Sequence, residues 1–385
     1  MQNKVCTQCQ AQYDIDDKDV AFYAKMDVSI PKLCPNCRFC RRSMFRNEMT
    51  LYPGQCGLCK KTVVTMYNPK SGYLVYCKEC YESDKWDPYS YGADYDPKRP
   101  FFEQLGELIK RTPKKNLYAS SSAGPNINSD YTNVAGANKD CYLVFNTGFC
   151  ENTMYSRGMN KCKDTLDGYF GVENEGCYEI INVNKSFNVF WGQNVVNALD
   201  SVFVEDVTDC QNCFGCIGLR HKDHYFFNEQ LSKEEYNKIV GEILGSYSKM
   251  EDAHKKFAEF RLKHPHRENT NFKCEDCTGN YIFESKNTHN SFEVTKCEDS
   301  KHLFSAKFGK DCYDTIGYTY ESELLLDCVG VGYCSRVIGS YWVENSHNVE
   351  YSYKVGASEY CIGCDGLQKA QYCILNKKYS PEEYQ

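Results

Sequence analysis

Short apolar runs separated by polar turns fill most of the chain from residue 126 onward. A small residue followed closely by an aromatic or branched one recurs at the evenly spaced positions Thr153, Cys177 and Ser201, and a second series falls between them. Repeats of this kind are typical of chains that wind into stacked parallel β-coils. The pattern therefore predicts a parallel β-solenoid, with walls formed by strand-like pieces such as residues 142–145 and 187–191.

The repeated region occurs twice. Cys213-Phe-Gly-Cys216 returns as Cys361-Ile-Gly-Cys364, at an offset of 148, and identities continue without a gap as far as Tyr236 and Tyr384. Upstream, the likeness has an offset of 150 and makes Asp164 the counterpart of Asp314, with a turn role in both copies. We expect two solenoid units, at residues 126–231 and 269–379.

Helical patterns lie between these units. Ser232-Lys-Glu-Glu235 is a capping box followed by an apolar face, and Ser248 to Glu251 opens a second helix that ends before Pro265. These signals predict a helical pair at residues 232–268.

Two further helices are predicted outside the pair. Residues 101–111 have an apolar stripe at helical spacing and lie within a linker over residues 87–125; we expect this helix to dock on the first solenoid unit and cap it. Residues 380–385 begin with a fresh capping box, Ser380 to Glu383, but continue for only two more residues. We therefore expect either a truncated chain or a partner that covers this end.

The chain has 25 cysteines, and eight of them form four Cys-x2-Cys pairs near the N-terminus. Two pairs supply four thiolates, which complete a tetrahedral zinc site and leave no open position for catalysis. The pattern predicts two structural zinc ions in tandem ribbons over residues 1–86, with residues 63–67 and 73–76 forming a hairpin between knuckles. The predicted ligands are Cys6, Cys9, Cys34, Cys37, Cys56, Cys59, Cys77 and Cys80, and Cys40 is left over.

Cys-x2-Cys spacing also occurs in the repeated region, at Cys210–Cys216, Cys274–Cys277 and Cys361–Cys364. One interpretation is further metal binding. The other is a ladder of small side chains inside successive coils. Serines and threonines at equivalent places favour the ladder, because they are poor ligands for soft metals.

The formal net charge is −7, yet residues 32–61 carry seven basic residues and one acid. Guanidinium groups interleaved with Phe39 and Phe45 could contact phosphates and stack on bases. Alternatively, the arginines pair with acids elsewhere in the protein while the phenylalanines dock on the ribbon. The predicted nucleic-acid contacts are Arg38, Arg41, Arg42, Arg46, Lys60 and Lys61.

Other features limit the class of protein. No N-terminal apolar segment and no run of 18 apolar residues occurs, so we predict a cytoplasmic protein with reduced cysteines and no membrane contact. No nucleotide-binding, nucleophile-elbow or metalloprotease motif is present. The acids that leave a β-helix carbohydrate-active enzyme open are Asp164, Asp167, Glu173, Glu175 and Glu179.

The whole chain resembles a family of bacterial proteins from small genomes, and its first ribbon is similar to a probable zinc-binding domain family. The likeness rests on Cys34-Pro-Asn-Cys-Arg38 with Arg41-Arg42, Phe45-Arg-Asn-Glu48, Ser83 to Pro88, Phe101 to Gln104 and the doubled Cys213–Cys216 segment. The resemblance implies two N-terminal zinc ribbons followed by a duplicated Cys-rich β-solenoid, and members that continue past residue 385.

These observations predict a mainly β protein: two four-cysteine zinc ribbons followed by two right-handed parallel β-solenoid units separated by a helical pair. The leading functional hypothesis is a non-enzymatic, zinc-binding interaction protein, with ribbons contacting nucleic acid or a ribonucleoprotein and solenoids contacting a protein. The alternatives are a purely protein-binding structural scaffold and a carbohydrate-active β-helix enzyme.

Overall fold

The computed structural model describes residues 2–119 and 124–385; residues 120–123, part of the predicted linker, lie outside the described residues. The protein is mainly β, as predicted. It divides into two compact units. The terminal unit comprises Met1–Asn47, Tyr52–Asn116 and Arg267–Gln385, and the central unit comprises Glu48–Leu51 and Leu117–His266. The residues predicted as ribbons thus share a unit with the second repeated region.

The N-terminal part of the terminal unit consists of short elements. Its strands are β1 (Gln2–Val5), β2 (Gln12–Ile15), β3 (Tyr52–Gln55), β4 (Thr62–Thr65), β5 (Val75–Tyr76) and β6 (Lys114–Lys115). Its helices are α1 (Asp17–Lys25), α2 (Pro35–Ser43), α3 (Lys78–Tyr81) and α4 (Phe101–Arg111). Strands β1–β2 and β3–β4 form antiparallel hairpins, and β5 pairs in parallel with β6. The predicted hairpin of residues 63–67 with 73–76 is therefore wrong, because β5 takes a different partner.

The central unit contains one nine-stranded sheet in chain order, followed by two helices. The strands are β7 (Tyr142–Phe145), β8 (Met154–Asn160), β9 (Leu166–Val172), β10 (Tyr178–Asn184), β11 (Phe187–Val196), β12 (Leu199–Glu205), β13 (Gln211–Ile217), β14 (Asp223–Phe226) and β15 (Glu229–Gln230). The helices are α5 (Lys233–Leu244) and α6 (Tyr247–Arg261). Helix α6 begins earlier than predicted, because the side chain of Ser246, not Ser248, caps it by accepting the Lys249 N–H.

The rest of the terminal unit is an eleven-stranded sheet, also mostly in chain order. Its strands are β16 (Gly279–Phe283), β17 (Lys286–His289), β18 (Ser291–Thr295), β19 (Glu298–Phe304), β20 (Gly309–Ile316), β21 (Ser322–Val329), β22 (Ser335–Ile338), β23 (His347–Glu350), β24 (Glu359–Ile362), β25 (Gln371–Ile374) and β26 (Lys377–Lys378), and α7 (Pro381–Tyr384) follows. We refer to the two large sheets as the central sheet and the terminal sheet.

Successive long strands in both sheets pair in parallel and mostly keep one constant register. Tyr178 lies opposite Phe190, for example, and His347 lies opposite Glu359. The chain therefore returns to the same place in the sheet every twelve residues, which is half of the spacing between Thr153, Cys177 and Ser201 in the sequence. The structural repeat is a twelve-residue turn.

Each twelve-residue turn has four sides of three residues. In one stretch of the central sheet, left-handed backbone recurs at Asn182, Lys185, Asn188 and Trp191, with φ between 51° and 55°. The residue that follows each of these corners is buried, as Val183, Ser186 and Val189 illustrate. Asn and Asp tolerate left-handed backbone better than other non-glycine residues, which explains their frequency at the corners.

Small polar side chains inside the turns stabilise the stack through hydrogen bonds. The hydroxyl of Ser346 donates to the carbonyl of Glu344 and accepts the N–H of Ser358, one turn later, at 3.1 Å. Ser340 and Ser352 form the same pair of contacts two sides earlier. Buried N–H groups need partners, so serine, threonine and cysteine recur at interior positions because they supply an acceptor within a small volume.

Helix α4 packs on the terminal sheet. Leu105 and Leu108 are buried together with Leu375, and the ring of Phe101 lies 5.9 Å from that of Tyr351. The sequence predicted that this helix would cap the first repeated region. The contacts in the structure instead join the helix to Leu375, near the far end of the chain.

Candidate metal centres

The first four-cysteine group joins a hairpin turn to the start of a helix. Cys6 and Cys9 lie in the turn between β1 and β2, and Cys34 is the N-cap of α2, which contains Cys37. The four sulfur atoms lie within 4.8 Å of one another, and Cys9 Sγ is 3.7 Å from Cys34 Sγ. Sulfur atoms this close, from four thiols on two rigid segments, fit a tetrahedral metal ion.

The second group repeats this construction. Cys56 and Cys59 lie in the turn between β3 and β4, whereas Cys77 is the N-cap of α3, which contains Cys80. The four sulfurs again lie within 4.8 Å of one another. Both turns close with the same backbone hydrogen bonds, since Gln10 N–H donates to the Cys6 carbonyl and Lys60 N–H donates to that of Cys56, each at 3.0 Å.

One thiol in each group has a lowered pKa, whereas a hydrogen bond with Cys9 raises the pKa of Cys37, and burial raises those of Cys77 and Cys80. Backbone N–H groups of Cys9, Cys34 and Gln8 lower the pKa of the Cys6 thiol to about 6. Burial raises the pKa of Cys56, but N–H groups that include that of Cys77, 3.3 Å from its sulfur, bring it down to about 6.

Helix α2 carries the first group into contact with the terminal sheet. The Arg38 Nε donates to Asp314 Oδ2 at 2.8 Å, and Arg42 Nη2 lies 3.1 Å from Asp314 Oδ1. Arg42 and Asp314 have no exposed side-chain surface, and the Arg38 side chain is 4% exposed. Burial alone would raise the pKa of Asp314, but the charges of Arg42 and Arg38 bring it below its usual value. Arg41 and Arg42 both pair with Asp327 as well.

Arg38 and Arg42, two of the predicted nucleic-acid contacts, are therefore buried and ion-paired within the protein. A buried guanidinium that is already paired with a carboxylate cannot reach a phosphate unless the protein unpacks. Of the two interpretations left open by the sequence, pairing with distant acids is the one that the structure contains.

The other predicted basic residues have different surroundings. Arg46 is half-buried and lies over the ring of Trp342, 5.8 Å from its centroid, while Phe45 stacks on Tyr341. Lys60 and Lys61 are exposed at the tip of the β3–β4 hairpin, where the Lys60 amine donates to the Gly57 carbonyl. The structure therefore does not gather the six predicted contacts on one open surface.

The cysteines of the repeated region occupy interior positions of the twelve-residue turns. Cys210, Cys213 and Cys216 are consecutive interior residues, one on each three-residue side, and all are buried. Their sulfurs donate to backbone carbonyls, as from Cys213 to Gln211. In the part of the chain that the structure describes, only the two N-terminal tetrads bring together three or more metal-binding side chains of this kind.

The candidate catalytic acids lie on the outside of the central sheet. Glu173 and Glu175 pair with Lys161 and Lys163, each one turn earlier, at 3.3 and 3.6 Å. Asp164 accepts a hydrogen bond from Asn152 at 2.6 Å. These contacts form ladders between neighbouring turns.

A buried charged cluster in the terminal unit was not anticipated from the sequence. Lys114, from β6, forms an ion pair with Asp365, and both side chains are 1% exposed. The Lys354 amine is buried nearby with no hydrogen-bond partner among the described residues; the rings of Tyr67, Tyr81 and Tyr353 surround it. Burial, followed by the charge of Lys114, lowers its pKa to about 7. Lys114 and Lys354 are far apart in the sequence, and no pattern around either of them predicts such a cluster.

No helix in residues 2–119 or 124–385 is long and apolar enough to cross a membrane. No protein-family model and no curated protein matches this sequence.

Proposed function

We propose that this protein is a non-enzymatic, zinc-stabilised scaffold, in which two zinc ribbons over residues 1–86 are fastened to a right-handed β-solenoid that binds other proteins. The observation that carries the proposal is the buried contact of Arg38 and Arg42 with Asp314. These arginines follow directly after Cys37 on the same helix, so a metal ion that orders the cysteines also orders the docking helix.

The donor set supports zinc as the metal. Four thiolates are soft ligands and suit zinc's tetrahedral preference, whereas calcium and magnesium bind oxygen. Four protein ligands leave no position for a reacting water, which supports a structural role for both ions. Thiolate ligands must also stay reduced, so we place the protein in the cytoplasm.

The scaffold is favoured over the two alternatives by the surroundings of the candidate residues. Nucleic-acid binding would need the three arginines of α2 to leave their carboxylate partners, whereas Lys60 and Lys61 are exposed on the β3–β4 hairpin. Carbohydrate hydrolysis would need a pair of free carboxylates across a groove; Asp164, Glu173 and Glu175 are held in ladders with their neighbours, which leaves Asp167 and Glu179 as the candidate acids of that alternative.

Metal analysis tests the proposal. The purified chain is expected to contain two zinc ions, and Cys37→Ser is expected to contain one and to melt at a lower temperature. Cys40→Ser is the matched control, because Cys40 is exposed on the same helix and lies outside the tetrad. A chain without zinc, or equal zinc contents in both variants, would contradict the proposal.

A second experiment separates a protein scaffold from a nucleic-acid binder. The native protein is purified from cell extract with and without complete nuclease digestion. A scaffold retains its protein partners after digestion, whereas partners that disappear with the nucleic acid would favour the ribonucleoprotein hypothesis.

A further inference from the structure

The pairing registers identify which positions of the two sheets are equivalent. Asp223 and Gln371 match at the offset of 148, and successive twelve-residue turns lead back from them to Glu175 and Glu323. One more turn leads to Lys163 in the central sheet and to Lys310 in the terminal sheet, which has an extra residue there. Asp167 is therefore equivalent to Asp314, and Glu179 is equivalent to Asp327.

This assignment corrects the sequence comparison, which made Asp164 the counterpart of Asp314. Every third residue of a turn has the same environment, so an alignment can slip by one three-residue side and still match small and acidic residues. In the register of the structure, Asp164 corresponds to Asp311 instead.

In the terminal sheet, these positions form a complete docking surface. Asp314 and Asp327 bind the arginines of α2. Beside them, Tyr313, Leu326 and Ile338 are buried against α1, and the ring of Tyr313 stacks on Phe22 at 3.9 Å. A basic helix with an apolar neighbour thus covers two acids and a row of apolar side chains.

In the central sheet, the equivalent acids are open. Asp167 and Glu179 are exposed, and neither has an ion-pair partner among the described residues; Glu179 accepts only the hydroxyl of Tyr178, at 2.8 Å. The equivalents of the apolar row are Leu166, Tyr178 and Phe190.

Exposed aromatic and apolar side chains surround the two acids. Tyr155 is 52% exposed and Ile181 is 44% exposed; Tyr169 is 37% exposed, and its hydroxyl accepts a hydrogen bond from the Arg157 guanidinium at 3.2 Å. Farther along the same sheet the surface is covered, because Phe203 and Phe214 are buried under the helical pair. In the other direction the surface stays exposed as far as Tyr142 and Tyr131, which are 40% and 42% exposed, so the turns that correspond to the docking surface of the terminal sheet lie within a longer exposed stretch.

We propose that this surface, formed by Asp167, Glu179, Tyr155 and Ile181, binds an arginine-rich helix of a partner protein. The inference rests on the proposed scaffold function and names its partner. The terminal sheet supplies the binding mode: carboxylates at successive turns each accept guanidinium groups from one helix face, and aromatic side chains pack beside them. Paired, charge-assisted contacts of this geometry require arginine, since lysine lacks the planar fork.

The probe for this surface is a labelled peptide with the sequence of residues 33–46, in which the three cysteines are replaced by serine. It carries Arg38, Arg41, Arg42 and Arg46 and represents the helix type that the terminal sheet already binds. Fluorescence anisotropy with the full chain is expected to show binding that weakens as salt is added. The double variant Asp167→Asn/Glu179→Gln is expected to raise the dissociation constant by about tenfold or more.

Glu173→Gln is the matched control, because Glu173 is an exposed acid at a corner of the same sheet but lies on a different side of the turn. It should leave the dissociation constant within about twofold. No binding by the unaltered chain at low salt, or equal loss in the double variant and the control, would overturn the proposal. Zinc content reports separately on the scaffold, because none of these substitutions touches a cysteine tetrad.

Discussion

The central and terminal sheets have the same twelve-residue turn but acquire their outer cover in different ways. The central sheet is covered by α5 and α6, which follow it directly and bury Phe203, Phe214 and Phe257. The terminal sheet is covered by α1, α2 and α4, which precede the whole of the central sheet in the chain. One repeat therefore supports both a local and a remote cover, because its interior positions fix the turn while its outer positions are free to vary.

The difference has an energetic consequence. Local contacts form at a small cost in loop-closure entropy, whereas remote contacts must order a long intervening chain first. The terminal unit also contains both candidate metal centres, so under the proposed function its stability depends on metal as well as on packing. We expect the two units to respond differently to the same kind of change.

The largest difference is expected at equivalent acids. Asp314→Asn removes the carboxylate that pairs with buried Arg38 and one of the two that pair with buried Arg42, and should reduce the free energy of unfolding by about 3–5 kcal/mol. Asp167→Asn, at the equivalent exposed position, should change it by less than about 0.5 kcal/mol. Urea unfolding of both variants measures the difference. Similar losses in the two variants would refute the equivalence or the role of the buried network.

A smaller effect, of opposite sign, is expected at Lys354. Its folded pKa, about 7, lies below the ordinary value of 10.5. At this residue the unfolded chain therefore binds more protons between these two pH values, so Lys354 contributes a rise of stability with pH across this window. Lys354→Met should stabilise the protein at pH 7 by about 1–3 kcal/mol and make the rise shallower.

Lys114 and Lys307 contribute a slope of the same sign, because burial also lowers their pKa values, whereas buried cysteines such as Cys328, whose pKa burial raises to about 12, contribute the opposite sign. The central sheet provides a comparison, because register places Asp206 where the terminal sheet has Lys354. Asp206→Asn should therefore not alter the dependence of stability on pH above neutrality. Thermal unfolding over this pH range tests both variants, and an unchanged slope for Lys354→Met would contradict the account.

The smallest effect is expected at the helix caps. Ser232 caps α5, whose Tyr236 and Val240 are buried, whereas Ser380 caps the much shorter α7, none of whose residues is buried. Ser232→Ala should cost about 1 kcal/mol, and Ser380→Ala only a few tenths. Equal losses would show that α7 contributes as much as α5.

The twelve-residue turn has a signature in the sequence, in the spacing of the cysteines. The seven cysteines from Cys141 to Cys216 are all separated by multiples of three, which is the spacing of interior positions on a twelve-residue turn. An eleven-residue step between Phe272 and Phe283 and a thirteen-residue step between Lys310 and Glu323 change this phase in the terminal sheet. These steps hide the period from any test that assumes constant spacing.

Remote contacts could not be predicted in the same way. The four Cys-x2-Cys pairs have a local signature, and each tetrad forms within a short stretch of chain. Arg38 and Asp314 are 276 residues apart, and nothing in the periodicity of either segment indicates the other. The composition of α2 is basic and aromatic, as in a nucleic-acid contact. Because Arg38 and Arg42 are buried, the helix docks inside the protein instead.

Hydrogen exchange of the full chain, with zinc bound and after chelation, tests the central claim most directly. If the metal orders α2 and α2 covers the terminal sheet, chelation should increase exchange in α2 and in β20 and β21, and leave β9 and β10 of the central sheet unchanged. Equal changes in both sheets, or continued protection of β20 and β21 without metal, would contradict the account.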